Sequence, residues 1–214
     1  MKDLSLFTTE NGVASLILRK IPFTKEAFVH IRDSCACDQL LKECIDVCRM
    51  AGAEKVYAAG HENLKRYPLY CDIYRYDLSR ENMGSTDAAA IPICPEQTEW
   101  WRQLYNQKMA DVPAASPLTV RDTEELIREG TAYYVCRDCA TIGIGVAGGG
   151  EIYAVASLLP GAGREVVLAL AACTEGAVIS LRVADNNEKA CRLYRSLGFS
   201  ASVKEESWYK IFEC

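Results

Sequence analysis

The stretch SLRVADNNEKACRLYRSLGF, residues 180–199, limits the possible folds more than any other part of the chain. Val178 to Val183 predicts a strand, and Asp185 with Glu188 three residues on predicts a helix cap. Ala190, Leu193, Tyr194 and Leu197 then share one helical face, and Gly198 stands where such a helix closes. Just upstream, EIYAVASLLPGAGREVV predicts a strand from Glu151 to Ala156, a break at Pro160, and a helix from Arg164 to Thr174. That helix is apolar on nearly every side and should be buried. Strand, glycine loop, helix, strand and helix in this order require a sheet covered by helices, an α/β or α+β fold with a mixed sheet.

The loop between the first strand and helix carries the chemistry. A helix start leaves several backbone N–H groups unpaired, and its dipole favours an anion there. Gly161 and Gly163, flanking Ala162, let the backbone approach a phosphate closely, and Arg164 can add a charge-assisted bond. Ordinary turns also produce a GxG after a strand, so the loop gains specificity only from the unit that follows it.

Together, the loop and NNEKACRLYRSLGF resemble the GNAT N-acyltransferase family. The likeness covers the C-terminal region best and the first half of the chain weakly. It implies a mixed, mostly antiparallel central sheet flanked by helices, and acetyl-CoA as cosubstrate, bound in a V-shaped gap between strands Ile152–Ala156 and Ile179–Val183. Laid on the family from Val155, the segment places Val155, Ala156, Ser157, Gly161, Ala162, Gly163 and Arg164 along the coenzyme. Asn187 and Tyr194 match the helix residues that face it. The family's tyrosine often acts as general acid, which implies that role for Tyr194, whereas its spacing alone would make it a core aromatic. Glu151, at the start of the strand lining the cleft, is the candidate base for the ammonium proton, or else a solvated residue beside a glycine turn. Asn187 suits a helix cap as well as a ligand contact. The sequence departs from the family where the pyrophosphate pattern usually has Arg or Gln, then Gly, then Gly or Ala. Those places hold Pro160, Gly163 and Glu165, and a carboxylate at Glu165 would oppose phosphate if it pointed inward.

The rest of the chain fits a larger mixed fold. Val13–Leu18, Lys55–Ala59 and Leu69–Leu78 predict strands, and Lys25–Arg32 a short helix. A longer helix is capped by Asp38 and ended by Gly52, with Leu41, Cys44, Ile45 and Cys48 on its apolar face. Loop composition from Ser79 to Pro95 divides the chain into residues 1–94 and 95–214. Pro95 opens a helix through Trp100, Trp101, Leu104 and Tyr105, aromatic residues that could wall a pocket or pack the helix on a sheet. Asp122 and Glu125 predict a capping box closed by Gly130. Thr131–Cys136, Thr141–Val146 and Glu151–Ala156 then predict an antiparallel meander, and Phe199 with Trp208–Phe212 a closing strand pair. Helix, strand, Asn-containing turn and tyrosine-bearing segment recur in both halves, so residues 1–94 read as a degenerate GNAT-like repeat.

Composition excludes some alternatives. Of 214 residues half are hydrophobic and a quarter charged, and the net charge of -5 gives no general attraction for nucleic acid or an anionic membrane. No apolar run is long enough for a bilayer and no signal peptide is evident, so the eleven cysteines read as reduced thiols in a cytoplasm. Cys136-Arg137-Asp138-Cys139 and Cys35-Ala36-Cys37, with His30 and His61, raise a metal or redox protein. Arg137 and Asp138 read instead as a hairpin tip, and no metal is expected. The functions in play are therefore acetyl transfer to an amine of a small molecule or protein, a GNAT-fold coenzyme-binding or interaction protein without turnover, and a cysteine-based metal or redox protein. A monomer and a homodimer paired through an exposed strand are both open.

Overall fold

The computed structural model describes residues 3–113 and 115–214. In chain order the elements are β1 (Leu4–Thr9), β2 (Gly12–Ile17), α1 (Ile21–Thr24), β3 (Glu26–Ser34), α2 (Cys37–Met50), β4 (Lys55–Ala59), β5 (Leu69–Ser79), β6 (Ala89–Pro92), α3 (Thr98–Met109), α4 (Val120–Arg128), β7 (Ala132–Arg137), β8 (Ala140–Gly148), β9 (Glu151–Ser157), α5 (Gly163–Ala172), β10 (Val178–Ala184), α6 (Glu188–Ser196) and β11 (Ser200–Glu213). They form two compact units, Met1–Ile73 with Glu205–Cys214 and Tyr74–Lys204. β5 and β11 each contribute to both.

In the first unit the strand order is β1-β2-β3-β4-β11-β5. β1, β2 and β3 form an antiparallel meander, α2 crosses over, and β4 returns parallel to β3. Leu40, Leu41, Cys44 and Cys48 of α2 pack on Ala14, Leu16, Ala27, Val29 and Ile31. Three expectations fail here. Lys25–Arg32 is not a helix but most of β3, because Ala27, Val29 and Ile31 alternate into the core and β-branched residues suit a pleated surface. β1 is an unanticipated partner of β2. Asp38 lies inside the first turn of α2, whose N-cap is Ala36.

The second unit has the order β11-β5-β10-β9-β8-β7-β6. Helices α5 and α6 pack on one face of its sheet, and α3 and α4 on the other. Val166 to Leu170 of α5 are all buried, which accounts for its lack of a polar side. Each large one is worth about 1.5–3 kcal/mol by burial. Gly143 and Gly145 of β8 let α5 come close: a Cβ on either would overlap the Val166 or Leu170 side chain. Arg80 closes the other end of α5, donating to the carbonyls of Ala171, Thr174 and Gly176 at 3.3, 2.7 and 2.7 Å.

Local signals in this unit are shifted rather than absent. The capping box of α4 is Thr119 with Asp122, each side chain accepting from the other's backbone N–H. Phe199 and Trp208–Phe212 do not form two strands, because β11 runs unbroken from Ser200 to Glu213. Within the segment read as loop, Ala89–Pro92 pairs with β7 as an edge strand, where a terminal proline is tolerated. Trp101 is fully buried, stacks on Tyr105 and donates from Nε1 to the Tyr133 carbonyl at 3.1 Å, so it packs α3 onto the sheet. Trp100 remains 55% exposed.

Candidate functional site

Two features open a gap in the second unit. β9 pairs with its parallel neighbour β10 only at Glu151–Ser180 and Ile152–Leu181. On the other side of β9 the register with β8 shifts between Ala154 and Ile152, leaving Tyr153 as an extra residue. Such a bulge bends and twists the strand that carries it. The bulge therefore sits where β9 leaves β10, at the vertex of the gap.

Beyond that vertex one edge of β9 faces the opening. Leu158 donates to the Ile142 carbonyl at 2.8 Å, which fixes the alternation of the antiparallel ladder. Ala154 and Ala156 therefore turn their backbone groups toward β8, and Val155 and Ser157 turn theirs toward the gap. The Val155 side chain packs on the α5 core, and Ala156 is buried on the α3 side. The Ser157 hydroxyl donates to the Leu159 carbonyl at 2.6 Å and shapes the exit from the strand.

The loop then turns into α5. Ala162 donates to Leu159 at 3.3 Å and its carbonyl accepts the first helical bond, from Val166. Gly161 takes a positive φ of 83°, costly for any side chain. No acceptor is recorded among the described residues for the N–H groups of Gly161, Gly163, Arg164 and Glu165. Four unpaired donors at the start of a buried helix make a place for a polyanion. Arg164 is exposed beside them.

Glu165 does not oppose an anion in the way its sequence position suggests. Its carboxylate oxygens each accept a 2.6 Å bond from Nη1 of Arg137, which the β7–β8 hairpin delivers to the first turn of α5. Asp138 and Cys139 at that hairpin tip have positive φ values of 50° and 62°, as a tight two-residue turn requires. Thus the CRDC segment shapes a turn that presents an arginine. All eleven cysteines are free, and no group of three or more His, Cys, Asp or Glu residues is placed to hold a metal among the described residues.

Helix α6 brings the other two candidate residues. Asn187, not Asp185, is its N-cap and accepts from the Ala190 N–H at 3.3 Å. At its C-terminus, Gly198 donates to Arg195 at 3.0 Å and Phe199 to Tyr194 at 3.1 Å. This paired closure needs the positive φ of 92° at Gly198. It also sets Phe199 edge-on to the Tyr194 ring, with centroids 6.0 Å apart. Burial, then the nearby Cys191, pushes the Tyr194 hydroxyl up to about 12. Its oxygen has no recorded hydrogen-bond partner among the described residues. Glu151 lies at the closed end of the gap, and Arg182 of β10 holds its carboxylate.

Sequence reasoning found the loop and α6 but missed three contributors. Arg137 gives no local signal, because its partner is 28 residues away. The Tyr153 bulge is equally silent. Gly143 and Gly145 did leave a trace, since glycine repeated inside a strand marks a close approach of other atoms.

Comparison with known proteins agrees with this architecture. No known family's sequence profile matches the chain, and no curated protein matches it in sequence. Solved structures do. A candidate acetyltransferase from Pyrococcus horikoshii is similar over 95% of this chain and 70% of its own, at 13% identity and a TM-score of 0.61. A GCN5-related N-acetyltransferase from Sphaerobacter thermophilus is similar over 94% and 76%, at 14% identity and 0.56. Another from Kribbella flavida is similar over 97% and 89%, at 13% identity and 0.55. Among the described residues no helix is long and apolar enough to cross a membrane.

Proposed function

The chain carries the GNAT acetyltransferase fold, and from that premise we propose that it is an acetyl-CoA-dependent N-acyltransferase whose site lies in the second unit. The observation that carries the proposal is a coincidence of three features: the β9–β10 gap, the free edge of β9 and the four unpaired N–H groups entering α5. The extended pantetheine arm of CoA would add to the free edge at Val155 and Ser157, and the diphosphate would take the loop donors from Gly161 to Glu165.

The amine then attacks the thioester carbonyl directly. Its excess proton needs a base, and the thiolate that leaves needs a donor. We assign the donor to Tyr194, whose hydroxyl has no other recorded partner. Its raised pKa keeps it protonated at neutral pH, so it acts by hydrogen-bonding sulfur as charge develops there. Glu151, reached through water past its ion pair with Arg182, is assigned as the base. Asn187 holds the start of α6 and so the approach of Tyr194. Free thiols throughout the chain suit a reducing cytoplasm.

We also propose that the first unit descends from a second copy of this architecture. Its order of meander, crossover helix and parallel strand (β1-β2-β3-α2-β4) repeats that of β7-β8-β9-α5-β10.

The test is thermal unfolding with and without acetyl-CoA, followed by thiol release with a panel of amines. Binding to the folded state raises the melting temperature in proportion to affinity and concentration. No shift would remove the coenzyme from the proposal. A shift without thiol release from any amine would favour a second reading, a coenzyme-binding protein without turnover, which the departure from the family pattern at Pro160 supports.

A further inference from the structure

The loop lacks the basic or amide side chain at Pro160 and places a carboxylate three residues into the helix, at Glu165. Left alone, that carboxylate would satisfy the helix dipole itself and repel any diphosphate arriving there. Arg137 changes this balance. Its Nη1 binds both oxygens of Glu165, and its Nε lies 3.6 Å from the exposed Asp138. The second terminal nitrogen, Nη2, has no recorded partner among the described residues. The guanidinium thus sits on the first turn of α5, still half-exposed, with donors to spare beside the open N–H groups.

We propose that Arg137 is a positioning residue for the coenzyme diphosphate: it cancels the charge of Glu165 and, as phosphate arrives, turns its spare donors toward it. This rests on the acyl-CoA reading given above and adds to it a cation from outside the loop. Arg137 comes from the β7–β8 hairpin and stands in for the side chain that Pro160 cannot supply. The pair also gives the site a graded preference. A ligand without phosphates gains nothing from Arg137, whereas a diphosphate gains both from the cation and from the silenced carboxylate.

The two partners therefore have opposite signs, which separates this role from a merely structural ion pair. In calorimetric titration with CoA, Arg137→Gln weakens binding by about tenfold, the effect expected of one charge several ångströms from a partly hydrated phosphate. Glu165→Gln tightens it several-fold, and the double variant returns to within about threefold of the unaltered protein. Pantetheine, which lacks the diphosphate, binds all four proteins alike. Melting curves without ligand confirm that each variant is folded. If both single variants weakened CoA, or if Glu165→Gln failed to rescue Arg137→Gln, the pair would be structural and the inference overturned. Unchanged affinity in Arg137→Gln overturns it as well. If the unaltered protein bound no CoA, the functional reading itself would fall, an outcome distinct from the others.

Discussion

The two units run through the same order of strands and crossover helix, yet their parallel strands stay paired in one and part in the other. In the first, all five residues of β4 pair with β3, from Glu26–Lys55 to His30–Ala59. In the second, β9 and β10 part after two residue pairs, where Tyr153 bulges. The connections differ in parallel. Only Cys35 and Ala36 separate β3 from α2, and both of their N–H groups are spent on the Asn11 carbonyl. The five residues from Leu158 to Ala162 leave donors open. A helix also follows β10 and carries Tyr194, whereas β4 leads into a single turn of 3-10 helix, Glu62–Arg66. The fold alone therefore does not make the site. What sets the second unit apart is a bulge that parts its strands, a longer loop before its crossover helix and a terminal helix that carries Tyr194.

The largest expected effect concerns the chemistry proposed for the second unit. Tyr194→Phe should slow thiol release by about 10²–10⁴-fold, the usual range for losing a positioned proton donor. CoA affinity should change little, because the ring and its packing on Phe199 survive. Full activity in the variant would remove Tyr194 from the mechanism. Its pKa sets a second expectation with a definite sign. The folded value is raised to about 12 from about 10 in the unfolded chain, so the group favours folding below that lower value and the contribution fades as pH climbs between the two. Activity should accordingly show no alkaline loss attributable to Tyr194 below about pH 10. A Tyr194-dependent fall near neutrality, seen by comparing the variant's pH profile, would contradict that assignment.

Next in size is the close contact of α5 with its sheet. The first unit fills the corresponding layer with Ala14 and Leu16, while the second uses Gly143 and Gly145. Gly145→Ala should destabilise the protein by about 1–3 kcal/mol, as overpacking does, and displace the start of α5. Urea unfolding and CoA titration read these two consequences separately. A variant as stable as the parent would mean that α5 has room to retreat. A smaller loss, about 1 kcal/mol, is expected for Asn187→Ala through its lost cap. There the thiol-release rate should fall more than stability does if α6 must be held in place for Tyr194. Equal, minor changes in both would reduce Asn187 to a cap.

How much of this was legible depended on how local each cause is. The α6 unit could be read in full because cap, apolar face and terminal glycine lie within a dozen residues; only the cap moved, from Asp185 to Asn187. The glycine loop was legible as a donor-lined turn. The sign of Glu165 was not, because Arg137 reaches it from another hairpin. β3 was misread because Lys25–Arg32 mixes charges with apolar residues at a spacing that suits either period, and only its neighbours β2 and β4 decide the matter. The gap itself had no sequence signal of its own. A bulge is a property of two strands' register, and the resemblance to GNAT proteins supplied the expectation that residue patterns could not.

The smallest expected effect completes the comparison. Each crossover helix has an acid in its first turn held by an arginine: Asp38 by Arg66 in α2, Glu165 by Arg137 in α5. Side-chain hydrogen bonding by Arg66 holds the Asp38 carboxyl below its usual range. Both groups are well exposed, so water and salt screen the pair. Arg66→Gln should leave CoA affinity unchanged and the melting temperature within measurement scatter, because β3 and β4 stay paired beside it and no strand gap adjoins it. Arg137→Gln, chemically the same substitution, should be felt in CoA binding. A matching loss from Arg66→Gln would mean that the closed unit also takes part in holding the coenzyme, and the division of labour proposed for the two units would have to be redrawn.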